Sequence, residues 1–279
     1  MFTITELALF WKTRKYVLIS FLILGTLFFF VWKYISWYYG REFLKANGPR
    51  SLHMYQQQPV SIARNIFIPQ SKFRKPLVPH GFSISFLLKI NDWYANYGHW
   101  KHVLHRGDTP DKLQSTVFTS QRPGCPPMKE IKNTNMPEWT LIENQYPGVW
   151  LADRQNTLRI CMTTEKKVLQ CNDVSSKNQP NNQNEIEFVD IENVPVGVYF
   201  HIAIVSTGNN SILIFINGQL KKTLALVGSP VENENHVFIG AGRSFPGSMM
   251  SLRYIPEIIS SGETKALFSH DSSFVKKSF

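Results

Sequence analysis

Between residues 81 and 260 the chain is cut into short alternating segments with turn residues between them, and this pattern leaves few folds open. The sharpest case is SILIFINGQLKKTL, residues 211–224, where Ile212, Ile214 and Ile216 alternate with Leu213 and Phe215 ahead of Asn217-Gly218. Both central residues of a type I′ turn need positive φ, which Asn and Gly tolerate, so the spacing predicts a tight hairpin. Its first strand is apolar on both faces, and its return strand carries Lys221 and Lys222 on a solvated side. A lone hairpin is marginal in water, so this one must pack against a larger sheet. FSISFLLKI, WKHVLHRG, STVFTS, PGVWLAD, TLRICMTT, NEIEFVDIENV, GVYFHIAIVST, HVFIGAG and GSMMSLRYI read as further strands, and no segment in this region sustains a 3.6-residue apolar period. The prediction is an all-β fold, a two-sheet antiparallel jelly-roll sandwich.

The N-terminus reads differently. Residues 16–39, YVLISFLILGTLFFFVWKYISWYY, hold one charge, Lys33. A run of about 20 apolar residues spans a ~30 Å hydrocarbon core, so the expectation is a transmembrane helix. Trp32, Tyr34, Trp37, Tyr38 and Tyr39 crowd its end as an interfacial belt would. A cleaved signal peptide fits less well, because the run is long and no small-x-small site follows it. Basic residues flank it on both sides, so the positive-inside rule gives no orientation. The domain plan is a short segment 1–15, the helix 16–39, a basic linker or stalk 40–80 in which NIFIP reads as a first edge strand, the sandwich 81–268 and a tail 269–279.

Charge is unevenly distributed. The chain carries +10 overall, yet residues 1–80 hold eleven of its cations against Glu6 and Glu42, so the sandwich itself is close to neutral. A nucleic-acid module shows its basic face on the folded domain, which is not the pattern here. Lys12, Arg14, Lys15, Lys33, Arg41 and Lys45 instead suit lipid headgroups, or a solvated linker. Three cysteines, Cys125, Cys161 and Cys171, leave one odd thiol; 161 and 171 could meet across a hairpin, but buried or free thiols fit better and no zinc spacing is present. Asn209-Asn210-Ser211 is a glycan-acceptor pattern at a loop.

The order of FSISFLLKI, HVLHRGD, PGVWLADRQNTLRICMTT, IENVPVGVYFHIAIV, ILIFINGQLKKTL and VFIGAGRSFPGSMMSLRYIP resembles the laminin G-like, concanavalin A-like superfamily over about 82–268. The most specific part is a strand, Asn-Gly, a strand, IGAG, then FPGSMMSLRYIPEIISSGE. The resemblance implies two curved sheets, a calcium site on the rim of many members, and glycan or protein binding. Membrane-anchored copies resemble proteins encoded by large DNA viruses, some of them particle components.

Catalytic signals are thin. NEIEFVDIEN carries Glu185, Glu187, Asp190 and Glu192, and glucanases of this superfamily use Glu-x-Asp-x-Glu on one strand; retaining hydrolysis needs carboxyls about 5–5.5 Å apart. The order here departs from that pattern, and a solvated acidic strand face accounts for it. Asp108, and Asp153 beside Asn156, are the candidate calcium ligands, with turn capping as their alternative role. His99, His102 and His105 do not share one face of a regular strand, which speaks against a three-ligand metal site. Trp93, Tyr94, Tyr97 and Trp100 form either a sugar-stacking platform or core and rim packing. No nucleotide-binding Gly loop and no Gly-x-Ser-x-Gly elbow occurs.

The expectation is a non-enzymatic protein with no catalytic residues and no required cofactor. Its main form is a structural component, tied to a bilayer by its helix and docked on a coat or capsid protein of a virion. The alternative is a membrane-tethered lectin-like adhesion protein that binds glycan, and behind it stands a tethered glycosidase using Glu187 with Asp190 or Glu192.

Overall fold

The computed structural model describes residues 17, 19–35, 38, 52–54, 59–110, 137–165, 184–233 and 235–277. The chain divides into two compact units, Met1–Ala46 and Asn47–Phe279.

In the first unit residues 19–35 are helical and expose apolar side chains, among them Phe21, Leu22, Phe28 and Trp32. This corrects the expectation of a single-pass membrane protein. At 1.5 Å per residue the described helical run rises about 25 Å, short of the ~30 Å core. Among the described residues no helix is long and apolar enough to cross a membrane. Of the six cations assigned to lipid headgroups, Lys33 is described, with its Nζ 6.0 Å from the Phe29 ring centroid. Lys12, Arg14, Lys15, Arg41 and Lys45 lie outside the described residues.

Among its described residues the second unit is built of strands, apart from three short 3-10 turns and its last helix. Its described strands are β1 (Leu52–Met54), β2 (Val60–Ser61), β3 (Ile66–Ile68), β4 (Gly81–Ile90), β5 (Lys101–Gly107), β6 (Gln145–Leu151), β7 (Thr157–Glu165), β8 (Asn184–Glu192), β9 (Tyr199–Thr207), β10 (Ser211–Ile216), β11 (Gln219–Ala225), β12 (Val237–Ile239) and β13 (Gly247–Ile255). They form two antiparallel sheets. One has seven strands in the order β1-β13-β4-β9-β10-β11, with β2 also on β13; the other has six, in the order β3-β12-β5-β6-β7-β8. Strands 115–120 of the sequence reading lie outside the described residues.

Alternation builds the core. Phe82, Ile84, Phe86, Leu88 and Ile90 of β4 enter it, together with Val149 and Leu151 of β6 and Leu158, Ile160 and Met162 of β7. The sheets meet ring to ring, with Phe82 4.8 Å from Tyr146 between centroids. Burying each such side chain contributes about 1.5–3 kcal/mol.

The hairpin has the predicted turn, with Asn217 at φ 51° and Gly218 at φ 73°. The Asn217 side chain accepts a hydrogen bond from the His201 amide at 2.9 Å, which fixes the turn to β9. Gly240 of IGAG sits at φ 67°, and a Cβ there would run into the Ile62 carbonyl oxygen. Only glycine meets both demands.

Residues 269–277, read from the sequence as part of a tail, belong to a helix, Ser261–Lys277. A capping box starts it: the Glu263 amide donates to Ser260 Oγ, and the Ser260 amide to Glu263 Oε2. The helix seals the outer face of the seven-stranded sheet. There Arg253 of β13 makes a bidentate pair with Asp271 at 2.6 and 2.5 Å, both side chains at most 3 % exposed. Burial pushes the Asp271 carboxyl upward, but hydrogen bonds from His270 and Arg253 and the Arg253 charge hold it below its ordinary value. Buried beside it, His201 lies 3.9 Å from Asp271 Oδ2 and is lowered to about 4, chiefly by burial.

Candidate functional site

The loop joining β4 to β5, residues 91–100, carries the four aromatic residues singled out in the sequence, and it is pinned along its length. The Asn91 amide donates to Pro246 O at 2.8 Å, and the Gly98 amide to Asp153 O at 3.0 Å. The Tyr94 amide donates to Asp92 Oδ1 at 2.8 Å, an Asx-turn. Asn96, at φ 55°, donates from Nδ2 to Ser244 O at 2.7 Å.

The structure separates the four aromatics into two pairs. Tyr94 and Tyr97 are 76 % and 55 % exposed, and their rings stack with centroids 6.3 Å apart and 28° between planes. Trp93 is buried and covers Lys101, whose Nζ lies 5.0 Å from the ring centroid and donates to Ala152 O at 3.2 Å. Burial lowers that lysine's pKa, against the pull of Asp153, Asp92 and Glu138. Trp100 lies over the Arg159 guanidinium at 4.5 Å, beside Trp139 at 4.7 Å and Phe188 at 3.7 Å. Trp93 and Trp100 are therefore packing residues, and Tyr94 and Tyr97 form the open surface.

The same loop lines a groove of about 650 Å³ through Asn91, Ala95 and Asn96, with Ser61, Ser244 and Ser248 on other walls. These walls combine amide and hydroxyl groups with Pro59, Ala63, Phe245 and Pro246, and none of the described lining side chains is charged. Charges nearby are answered at short range. Glu138 accepts from the Trp100 amide and pairs with His99 at 2.9 Å and Arg243 at 3.5 Å, and Asp153 pairs with Arg154 at 3.7 Å.

The two candidate calcium ligands do not meet. Asp108 follows the end of β5, and Asp153 follows the end of its antiparallel partner β6, so they stand at opposite ends of the strand pair, on the order of 20 Å apart. Asp108 accepts from the side-chain amides of Asn144, Asn233 and Asn235 at 2.7, 3.3 and 3.4 Å. Among the described residues no group of three His, Cys, Asp or Glu side chains could hold a metal ion.

The acidic strand is used for attachment. Glu187 accepts from the amides of Val227 and Gly228 and from the Thr164 hydroxyl, and Asp190 makes a bidentate pair with Arg159 at 2.8 and 2.6 Å. Cys161 is a buried thiol donating to Gln145 Oε1, pushed up to about 12 by burial; Cys125 and Cys171 lie outside the described residues.

One expectation from strand geometry fails. The rings of His102 and His105 are in contact, Nε2 to Nδ1 at 2.7 Å, although three residues apart should face opposite ways. The register shifts between His102 and Leu104, and such a bulge turns the second ring to the side of the first. His102 Nδ1 accepts from the Ala241 amide, and His105 Nε2 donates to Asp108 O, so the pair is an internal brace between β5 and its neighbours. Burial lowers His105 to about 4 and His102 well below its ordinary value.

A cavity at the far end of β5 escaped the sequence reading altogether. About 370 Å³ in volume, it is lined by Phe73, Arg74, Lys75, Arg106, Tyr146 and Glu232 among others.

Fold and site together define a two-sheet antiparallel β-sandwich with a groove lined in part by the loop that carries Tyr94 and Tyr97. No family model matches the chain, and no curated protein matches it. It is similar to solved binding domains of botulinum neurotoxins. The serotype G binding domain is 12% identical at a TM-score of 0.47, over 80% of this chain and 47% of that one. The neurotoxin DC binding domain in complex with SialylT is 12% identical at a TM-score of 0.43, over 68% of this chain and 35% of that one. The same domain in complex with rat synaptotagmin II is 12% identical at 0.42, over 68% and 36%. The chain thus spans between about a third and a half of the length of these structures.

Proposed function

We propose that the sandwich is a glycan-binding module, taking a neutral oligosaccharide on Tyr94 and Tyr97 with its hydroxyls in the adjoining groove. The observation that carries this reading is the stacked, exposed tyrosine pair on a hydrogen-bonded loop, beside walls of amide and hydroxyl groups. Sugar rings present apolar C–H faces and many hydroxyls, so an aromatic surface next to uncharged hydrogen-bonding groups matches both. Sites of a few hundred Å³ with few, fixed polar groups are typical of small-ligand recognition. A loop held in place before binding also loses less entropy on binding.

The coat-docking expectation rested on a helix that tied the sandwich to a bilayer, and that premise fell with the membrane span. Binding without catalysis is the form proposed here, since Glu187 and Asp190 are engaged in holding a loop and an arginine.

The test is a neutral-glycan array probed with the full chain and with a Tyr94→Ala/Tyr97→Ala variant. The reading requires a defined set of glycans retained by the wild type and lost by the variant. A wild-type chain that is folded yet retains none, or a variant with the same profile, contradicts it.

A further inference from the structure

The cavity at the far end of β5 is built around a cation, Arg106, that no described carboxylate pairs with. Arg106 is 4 % exposed. Its guanidinium lies between two rings, 5.2 Å from the centroid of Phe73 and 5.2 Å from that of Tyr254. Two long hydrogen bonds engage it, from Nε to Asn235 O at 3.3 Å and from Nη1 to the Tyr254 hydroxyl at 3.3 Å. A guanidinium has five N–H donors. Among the described residues no carboxylate pairs with Arg106, and its Nη2 group has no hydrogen-bond partner.

This differs from the other two internal arginines. Arg253 and Arg159 each meet an aspartate with two hydrogen bonds. Taking an ion out of water costs several kcal/mol unless it is compensated, and cation–π contact returns about 2 kcal/mol when desolvated. Stacking explains why the Arg106 plane is held. It does not explain donors left over where the side chain lines a cavity. Arg74 and Lys75 line the same space, and Glu232 is the acid among the described lining residues. The remaining walls include Phe73, Pro76 and Tyr146, with the Tyr146 phenol kept neutral by burial.

We propose that this cavity is a second ligand site, independent of the glycan groove, that takes a small organic oxyanion with its charged group on Arg106. A stacked guanidinium offers its edge, and that edge matches two oxygens of a carboxylate, sulfate or phosphate. Arg74 and Lys75 supply the attraction at the mouth, and the rings and Pro76 pack the ligand body. The volume suits a ligand of one or two rings, at the small end of known sites.

The experiment is isothermal titration of the full chain with benzoate, glucuronate, sulfate and inorganic phosphate, each at fixed ionic strength in chloride. Saturable one-site binding of at least one probe is expected. Preference for the first two assigns a carboxylate ligand, and preference for the last two assigns a sulfate or phosphate ester. Arg106→Lys keeps the charge and removes the fork, and it should weaken binding at least tenfold. Because that core variant could misfold, Arg74→Ala/Lys75→Ala is measured as well and should lose about tenfold on an exposed surface. Lys221→Ala/Lys222→Ala removes the same charge from β11 and should leave binding as it is. No saturation by any probe overturns the proposal, as does equal loss in the two double variants.

Discussion

The two ends of β5 handle charge in opposite ways. At the Lys101 end, Glu138 pairs with His99 and Arg243 of other segments, Asp153 and Asp92 are engaged within their own loops, and Lys101 is sealed under Trp93. What remains open to a ligand is neutral: two tyrosine rings, amides and hydroxyls. At the Arg106 end a cation is held between two rings, and among the described residues no carboxylate pairs with it. One strand therefore presents a neutral surface and a positive cavity, and the difference lies in what the flanking loops supply, not in the sheet between them.

The contrast depends on a rigid frame, and the largest expected effect comes from breaking it. Arg253→Ala leaves Asp271 charged and buried under the helix, and losing one partner of a buried pair costs about 3–5 kcal/mol. Equilibrium unfolding in urea should show a lower midpoint, and both ends should lose ligand binding together.

Acid provides the second lever. His105 and His201 have folded pKa values of about 4, lowered from 6.5 by burial. The unfolded chain then binds more protons than the folded one between pH 6.5 and 4. Stability is accordingly complete above 6.5 and falls as the pH drops, by up to about 1.4 kcal/mol per unit for each histidine. Asp271, whose carboxyl is lowered, adds a loss at still lower pH, below its unfolded value. Urea midpoints measured from pH 8 to 4 check the slope, and a flat profile down to pH 5 contradicts it.

Much of the frame was legible because it is local. Alternation in FSISFLLKI and the Asn217-Gly218 turn each depend on a few consecutive residues. Ser260 and Glu263 form a capping box, but the helix they start follows a long run of strands and its residues 261–277 carry no strong apolar stripe to mark it. The His102–His105 contact was not legible, since it depends on a bulge that strict alternation cannot show. Nor was Arg106. Its partners Phe73 and Tyr254 lie far away in sequence, and only the assembled sandwich brings them to it. Of the proposed sugar platform, the cluster of four aromatics is legible in the sequence; burial separates the exposed tyrosines from the packed tryptophans.

The third prediction sharpens the comparison at the neutral end. Tyr94→Ala and Tyr97→Ala should each weaken glycan binding roughly tenfold, about 1.4 kcal/mol, with stability unchanged within about 0.5 kcal/mol because both rings are exposed. The smallest effect is expected from Asp153→Asn. Its pairing with Arg154 is solvent-exposed and worth at most about 1 kcal/mol, and glycan affinity measured with and without EDTA should stay the same. A loss of affinity on adding EDTA would place a metal ion at the glycan site.

The most direct measurement of the central claim is calorimetric titration of the full chain with the neutral oligosaccharide best retained on the array. The account predicts one saturable site in the wild type and at least a hundredfold loss in Tyr94→Ala/Tyr97→Ala, with the unfolding midpoint preserved. Equal affinity in the two proteins would place glycan binding, if any, away from this groove and contradict the account.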